Sequence, residues 1–454
     1  MRVLGIGDDL SLGAMYLDLQ RDGHQVRVFV DDPECADTLA GLVRTVPDWR
    51  AQLDWVRAAG REGVIVFETA TRGQLQEQLR RDGFQVIGGS AFGDRLESDR
   101  AFGQQVMQEV GMKVVPTHLF DSFADAIAFV RGRPGRYVYK PSGSGFASGR
   151  TFVSDMPDGA DLLAYLTLQR ASWPPDDPVR LVLMERLLGV EVGVGAYFDG
   201  QHFLQPACLD WEHKRFFPGD LGELTGEMGT LVTYRRSERL FGETLARMEG
   251  KLREGGYQGY ININTIVDDE GVHPLEFTCR FGYPGFSILQ PLQLGGWADL
   301  FRRMLAHDRG DQQRNDPFPT RDGYCVGVVL TVPPFPYAAG YDRLSKGLPV
   351  LFRRPLDEED HRNLHFGEVA LAGARPGEVP DDLPRQLVTS GVVGYVMVVT
   401  GWGATVPEAR AAAYRRVGAV CLPNGRHRLD IGERFVTVDE ARLEALGWLP
   451  PPGT

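Results

Sequence analysis

The run Leu275–Glu276–Phe277–Thr278–Cys279–Arg280–Phe281–Gly282–Tyr283–Pro284 carries a carboxylate and a guanidinium within a few residues of each other. An apolar stretch, Gly259–Tyr260–Ile261–Asn262–Ile263–Asn264–Thr265–Ile266–Val267, precedes it, and Asp268–Asp269–Glu270–Gly271 lies between the two. The pattern predicts two strands joined by a turn, with Asn264 beside Glu276 and Arg280 just beyond. A carboxylate and an amide oxygen suit a hard cation such as Mg²⁺, which keeps waters and shares its shell with nucleotide phosphates. Arg280 can hold a phosphate or carboxylate through its forked donors. In isolation, the same residues fit an ordinary hairpin with a solvated glutamate, so the company they keep decides the reading.

Lys140 ends a strand and precedes Pro141–Ser142–Gly143–Ser144–Gly145–Phe146–Ala147–Ser148–Gly149. Small residues let backbone N–H groups approach phosphate oxygens, and the ammonium adds a point charge. No Gly-Lys-Ser/Thr follows, so this is not a P-loop; a flexible surface hairpin is the alternative. Met184–Glu185–Arg186–Leu187–Leu188–Gly189–Val190–Glu191 combines apolar residues with spaced carboxylates. Such a segment can cover an adenine ring while Glu191 bonds ribose hydroxyls, or it can be a strand end with a salt-bridged glutamate. His213–Lys214–Arg215 is a cationic triplet followed by the polar, glycine-bearing loops Asp220–Leu221–Gly222 and Thr225–Gly226–Glu227–Met228–Gly229. These suit the edge of a phosphate-bearing site as well as a solvated charge run.

The elements that must position these groups follow from hydrophobic period. Residues 1–97 alternate strands (Val3–Gly7, Gln25–Val30, Gly63–Glu68, Phe84–Gly88) with helices, which predicts a doubly wound parallel sheet. Gly5 and Gly7 lack the third glycine of a dinucleotide fingerprint, because Leu10 stands there. Ser98 is expected to cap a helix whose Phe102, Val106 and Val110 share one face and which Gly111 ends. Residues 98–306 read as a second α/β domain, with a subdomain at about 120–186. Residues 307–322 read as a polar linker and 323–449 as a separate strand-rich α+β domain.

At 454 residues, roughly two to four domains are expected. A net charge of −12 argues against a backbone-reading nucleic-acid binder. The five scattered cysteines include no Cys-x-x-Cys pair, which fits reduced cytoplasmic thiols. No apolar run is long enough to span a bilayer, and the opening strand reaching Asp8–Asp9 does not read as a signal peptide.

Taken in order, these pieces resemble the ATP-grasp superfamily, in particular its phosphoribosylamine–glycine ligase (glycinamide ribonucleotide synthetase) family. Ser98–Asp99–Arg100–Ala101–Phe102 is similar to the family's Ser-Lys-Ala-Phe start. His213–Lys214–Arg215, after Glu212, is similar to Asp-His-Lys-Arg. Thr225–Gly226–Glu227–Met228–Gly229 is similar to Thr-Gly-Gly-Met-Gly, and Glu276–Phe277–Thr278–Cys279–Arg280–Phe281–Gly282 to Glu-Phe-Asn-Cys-Arg-Phe-Gly. The resemblance implies an N-terminal substrate domain, a two-part ATP-grasp fold with a mobile lid, and a cytoplasmic enzyme acting as monomer or homodimer. It implies ATP held by Arg100, Lys140, Ser142, Gly145, Glu185, Arg186, Leu188, Glu191 and Lys214, and Mg²⁺ (or Mn²⁺) held by Glu276, Asn264 and Thr278. Arg280, Lys214 and Arg215 would be catalytic; Asp8, Asp9, Glu68, His213 and Tyr283 would face the substrates, a small carboxylate such as glycine and a small amine.

The departures fall on the acceptor side. Asp8–Asp9–Leu10–Ser11–Leu12 replaces Gly-Gly-Arg-Glu-His, only Glu68 survives of a Gly-Pro-Glu motif, and Tyr283–Pro284–Gly285 replaces Asp-Pro-Glu. Thr278 replaces an asparagine, and Ser148–Gly149–Arg150 replaces the lid's Gly-Lys-Gly. The implied activity is an ATP-dependent, ADP-forming carboxylate–amine ligase with an altered acceptor pocket. The alternatives are the family's own purine-biosynthetic reaction and a non-catalytic ATP-binding sensor or scaffold.

Overall fold

The structure, a computed structural model, describes residues 1–141, 151–174, 178–307, 317–378 and 386–450. The N-terminal strands Gln25–Val30, Arg2–Gly7, Gly63–Phe67 and Gln85–Ile87 lie in that order in one parallel sheet. Both faces are covered: Leu4, Ile6, Ile65 and Phe67 belong to one apolar cluster, Val3, Val64 and Val66 to another. Burial on both faces explains why the inner strands Arg2–Gly7 and Gly63–Phe67 read as continuous apolar runs, whereas the edge strand Gln25–Val30 alternates.

The next helix does not start as expected. Ser98 is the last residue of the preceding helix, Ala91–Ser98, and its hydroxyl donates to the Asp94 carbonyl. Asp99 instead caps Arg100–Glu109, accepting from the Phe102 N–H at 3.0 Å. Aspartate caps at least as well as serine, so a register one residue later satisfies the same orphan donor.

Thr117–Phe120, Leu181–Glu185, Tyr137–Pro141 and Phe152–Val153 form a small antiparallel sheet. Helices Phe123–Gly132 and Ala160–Ser172 accompany it, and its core of Phe123, Ile127, Val130, Tyr139, Leu162, Leu166 and Leu183 is separate from the main one.

The main sheet has eight antiparallel strands, in the order Gly271–Thr278, Gly259–Asp268, Val190–Phe198, Phe203–Glu212, Gly229–Thr233, Tyr324–Thr331, Tyr395–Gly403 and Leu364–Phe366. The expected boundary at 323 therefore runs through a continuous sheet. Gly229–Thr233 and Tyr324–Thr331 are both buried along their whole length, and pairing them satisfies backbone groups that water cannot reach. A capping box at Thr405 and Glu408 starts Val406–Val417, whose Val406, Ala409, Ala413 and Val417 are buried. The end of the expected linker is packed too: Phe318 is buried against Tyr197 and Tyr234. No helix among the described residues is long and apolar enough to cross a membrane.

Candidate active site between the two sheets

The hairpin predicted from the turn residues forms, and its register sets Asn264 directly opposite Glu276 and Asn262 opposite Thr278. Period-two alternation then puts Asn262, Asn264, Glu276 and Thr278 on one face, where all four line a cavity of about 210 Å³. Lys214, Arg280 and Tyr283 line the same cavity.

Glu276 is where the two sheets meet. Lys140, on the small sheet, places Nζ 3.4 Å from Glu276 Oε2, and Arg100 donates to the same oxygen at 2.5 Å. Burial by itself would raise this carboxyl; Lys140, Arg100 and Lys214 overcome it and hold Glu276 well below the usual carboxylate range. Burial lowers the Lys140 ammonium, and Glu276 partly restores it. Lys214 Nζ lies 3.1 Å from Glu191 and 3.0 Å from Glu212, and these acids outweigh burial to raise it well above its ordinary value. Arg280 donates from Nε to Glu97 at 3.0 Å, and Glu97 also accepts from the Cys279 N–H at 2.6 Å. Beside this polar ring, Val115, Val182 and Met184 form an apolar cluster with Val138, Leu187 and Leu275 against it. Arg100 reaches the Met184 sulfur at 3.5 Å.

Other expected residues stand elsewhere. His213 and Arg215 do not line the cavity, although Lys214 between them does, because successive residues of extended chain face opposite ways. His213 is buried, with Nε2 accepting from the Gly432 N–H at 3.3 Å. Burial and Arg428 lower it to about 4, so it is neutral at physiological pH. Arg215 donates to the Gly222 carbonyl at 2.8 Å within the hairpin Arg215–Phe217/Leu221–Leu224. Arg186 is tied to Ser154 and Asp155, Glu185 is exposed at its strand end, and Leu188 is exposed. Ser142 and Gly145 lie outside the described residues.

In the N-terminal domain, Asp8 pairs with Arg72, which also holds Asp31 at 2.8 Å. Asp9 Oδ1 accepts from the Ser11 N–H at 3.0 Å. Glu68 is 1% exposed, and its oxygens accept from Tyr16 at 2.8 Å and Ser11 at 3.3 Å. Its carboxyl therefore serves the interior of its own domain.

Several lining residues escaped the sequence reading: Asp210, Thr230, Tyr260 and Asn262. Gly193 and Gly195 provide the signal that could have found them. They face Asp210 and Cys208 on one neighbouring strand and Asn264 and Asn262 on the other. A Cβ at Gly193 would collide with the Asp210 carboxylate, and one at Gly195 with the Tyr260 hydroxyl. The alternation Glu191–Val192–Gly193–Val194–Gly195 thus marks a floor left bare so that groups on flanking strands can meet.

A family model described as "Phosphoribosylglycinamide synthetase, ATP-grasp (A) domain" matches residues 98–286. The chain is an ATP-grasp ligase similar to phosphoribosylamine–glycine ligases. The ATP-grasp chain is 27% identical over 449 residues to the phosphoribosylamine–glycine ligase of Chlorobaculum tepidum, covering 96% of this chain and 100% of that one. It is 28% identical over 415 residues to that of Escherichia coli O157:H7, covering 88% and 89%. Among solved structures, the phosphoribosylamine–glycine ligase of Thermotoga maritima superposes with a TM-score of 0.66 at 22% identity, covering 95% of this chain and 100% of that one. A biotin carboxylase from Campylobacter jejuni gives 0.59 at 12%, covering 94% and 92%. At these identities the structural likeness speaks for the fold, which is the α/β arrangement of the ATP-grasp proteins.

The donor set fits a nucleotide-bound Mg²⁺. Glu276, Asn264 and Thr278 offer oxygen, and Glu276 stays ionised. Among the described residues no group of three or more His, Cys, Asp or Glu is arranged to hold a metal by itself. Phosphate oxygens and water would complete the shell, as is usual for Mg²⁺.

Proposed function

We propose that this chain joins a small carboxylate, an amino acid such as glycine, to a small amine, with ATP cleaved to ADP and phosphate through an acyl phosphate. The observation that carries the reading is the meeting of Lys140 and Arg100 with Glu276 at the seam between the two sheets. Cations and an ionised carboxylate around one point are what a metal-chelated triphosphate needs. The adenine would lie on the apolar cluster of Val115, Val182 and Met184, and Glu191 would exchange Lys214 for ribose hydroxyls.

A substrate carboxylate oxygen attacks the γ-phosphorus, and the bond between that phosphorus and the β–γ bridging oxygen breaks with its electrons leaving on ADP. The amine nitrogen then attacks the acyl carbon, phosphate departs with the C–O electrons, and the nitrogen loses a proton to form the amide. Bound Mg²⁺ would neutralise charge on the phosphate oxygens. Lys140 and Lys214 would hold the transferring group in line, and Arg280, released from Glu97, would hold a substrate or phosphate anion. The small sheet with its separate core is suited to move as a unit over the nucleotide, keeping water from the acyl phosphate. On this reading the lid would span about residues 120–186, within an ATP-grasp region at 98–306.

The test is single-turnover trapping. Enzyme, ATP and Mg²⁺ are mixed with individual amino acids and hydroxylamine, and hydroxamate is measured together with ADP. Hydroxamate that depends on one carboxylate supports the ligase and names the donor. ATP binding with no hydroxamate and no ADP across the panel would instead favour a nucleotide sensor. Phosphoribosylamine with glycine belongs in the panel, because the relatives that match nearly full length carry that name.

A further inference from the structure

The charges around the 210 Å³ cavity do not balance once each is given its partner. Glu276 is matched by Arg100 and Lys140, Lys214 by Glu191 and Glu212, and Arg280 by Glu97. Asp210 and Glu227 remain. They are 6% and 5% exposed, both line the cavity, and Asp210 Oδ1 and Glu227 Oε1 have no hydrogen-bond partner among the described residues. The hydroxyl of Thr230, 1% exposed and lining the same cavity, is likewise without a partner among the described residues. Asp210 is held in place from its other oxygen, which accepts from Asn262 Nδ2 at 2.6 Å.

Glu227 stands where the resembled Thr-Gly-Gly-Met-Gly motif has glycine, so this chain adds a carboxylate to an already acidic hollow. Burial, then the neighbouring acids, push both carboxyls upward; Lys214 only partly offsets this. Such an arrangement is unfavourable unless a cation shares the space. The described residues include no cluster arranged as a metal site, whereas two carboxylate oxygens and a hydroxyl converging on one hollow match the three donors of a primary ammonium.

We propose that Asp210, Glu227 and Thr230 form a subsite for a primary ammonium group of the substrate, so that one substrate carries a positive charge away from its reacting atom. This rests on the ligase reading of the same cavity and narrows it. The ammonium belongs either to the acyl donor, as the α-amino group of an amino acid, or to the acceptor, as the second amine of a diamine. Asp9 and Glu227 both add negative charge around Tyr283, which points the same way.

The experiment is calorimetric titration of the full chain, with ADP and Mg²⁺ present and no turnover, using glycine, 1,4-diaminobutane, acetate and butylamine as probes. Wild type is compared with Glu227→Gln, Asp210→Asn and Glu227→Gly, each first checked for cooperative thermal unfolding. The expected result is binding of glycine or diaminobutane that weakens ~10-fold or more in each variant, the worth of a hydrogen bond to a charged group, while ADP affinity is unchanged. Loss confined to glycine assigns the ammonium to the donor; loss confined to diaminobutane assigns it to the acceptor. Acetate binding as tightly as glycine together with diaminobutane binding equally to wild type and variants, equal binding of both glycine and diaminobutane by the variants, or no binding by any probe would overturn the subsite. So would Mg²⁺ binding without nucleotide that disappears in Glu227→Gln. Because no bond is made in this assay, it can fail while hydroxamate trapping succeeds, and the reverse.

Discussion

Glu68 separates a structural carboxylate from a substrate-binding one, and the change Glu68→Gln decides between them. The side chain is 1% exposed and receives hydrogen bonds from Tyr16 and Ser11. Burial raises its carboxyl to about 7 from an ordinary 4.5, with the Tyr16 bond opposing the rise and Asp9 adding to it. A raised folded value means that the native state keeps a proton that the unfolded chain has already lost. Stability therefore falls as pH climbs from about 4.5 to about 7 and is level beyond, with a total of roughly 3 kcal/mol at 1.36 kcal/mol per pH unit. Glutamine keeps an acceptor for Tyr16 and cannot ionise. The variant should match the wild type within about 1 kcal/mol near pH 5 and exceed it by about 1–3 kcal/mol near pH 8. Urea unfolding followed by tryptophan fluorescence measures this, with Trp49 reporting from the cluster that holds Phe67. A stability difference that is the same at both pH values would refute the reasoning. Ligase turnover should survive the change; its loss would return Glu68 to the substrate site.

Glu276→Gln should lower turnover by about 10³-fold or more, since the group that gathers Lys140 and Arg100 and would hold Mg²⁺ loses its charge; coupled ADP release measures it, and normal turnover would remove Glu276 from the site. Lys140→Ala should weaken nucleotide binding about 10-fold or more by calorimetry, as expected for loss of a charge-assisted phosphate contact. An unchanged affinity would contradict that role. Gly193→Ala should cost about 1–3 kcal/mol of stability, because its Cβ meets the Asp210 carboxylate across the strand pair. Thermal unfolding at the wild-type temperature would show that the two strands approach less closely than described.

What could be read from the chain was local. The Asn264–Glu276 pairing depended on Asp268–Gly271, a turn that joins neighbouring strands, and the inner N-terminal strands Arg2–Gly7 and Gly63–Phe67 were legible because burial on both faces leaves apolar runs. Ser98 misled because an equally good cap, Asp99, follows it and sequence weighs such neighbours alike. The edge placed at residue 323 misled because a polar segment looks the same whether it separates domains or merely links strands of one sheet.

The amino-acid sequence by itself carried the α/β class and the resemblance to ATP-grasp ligases, and it supplied the lysine, glutamate and arginine of the candidate cleft in order. Those motifs are short, and each is organised by its own strand and turn. Only the tertiary structure decided that Lys214 enters the cavity while His213 and Arg215 do not, and that Asp210 and Asn262 meet at 2.6 Å. That meeting depends on strand order across Val190–Phe198 and on two glycines that leave the space open, a long-range pairing no local pattern encodes.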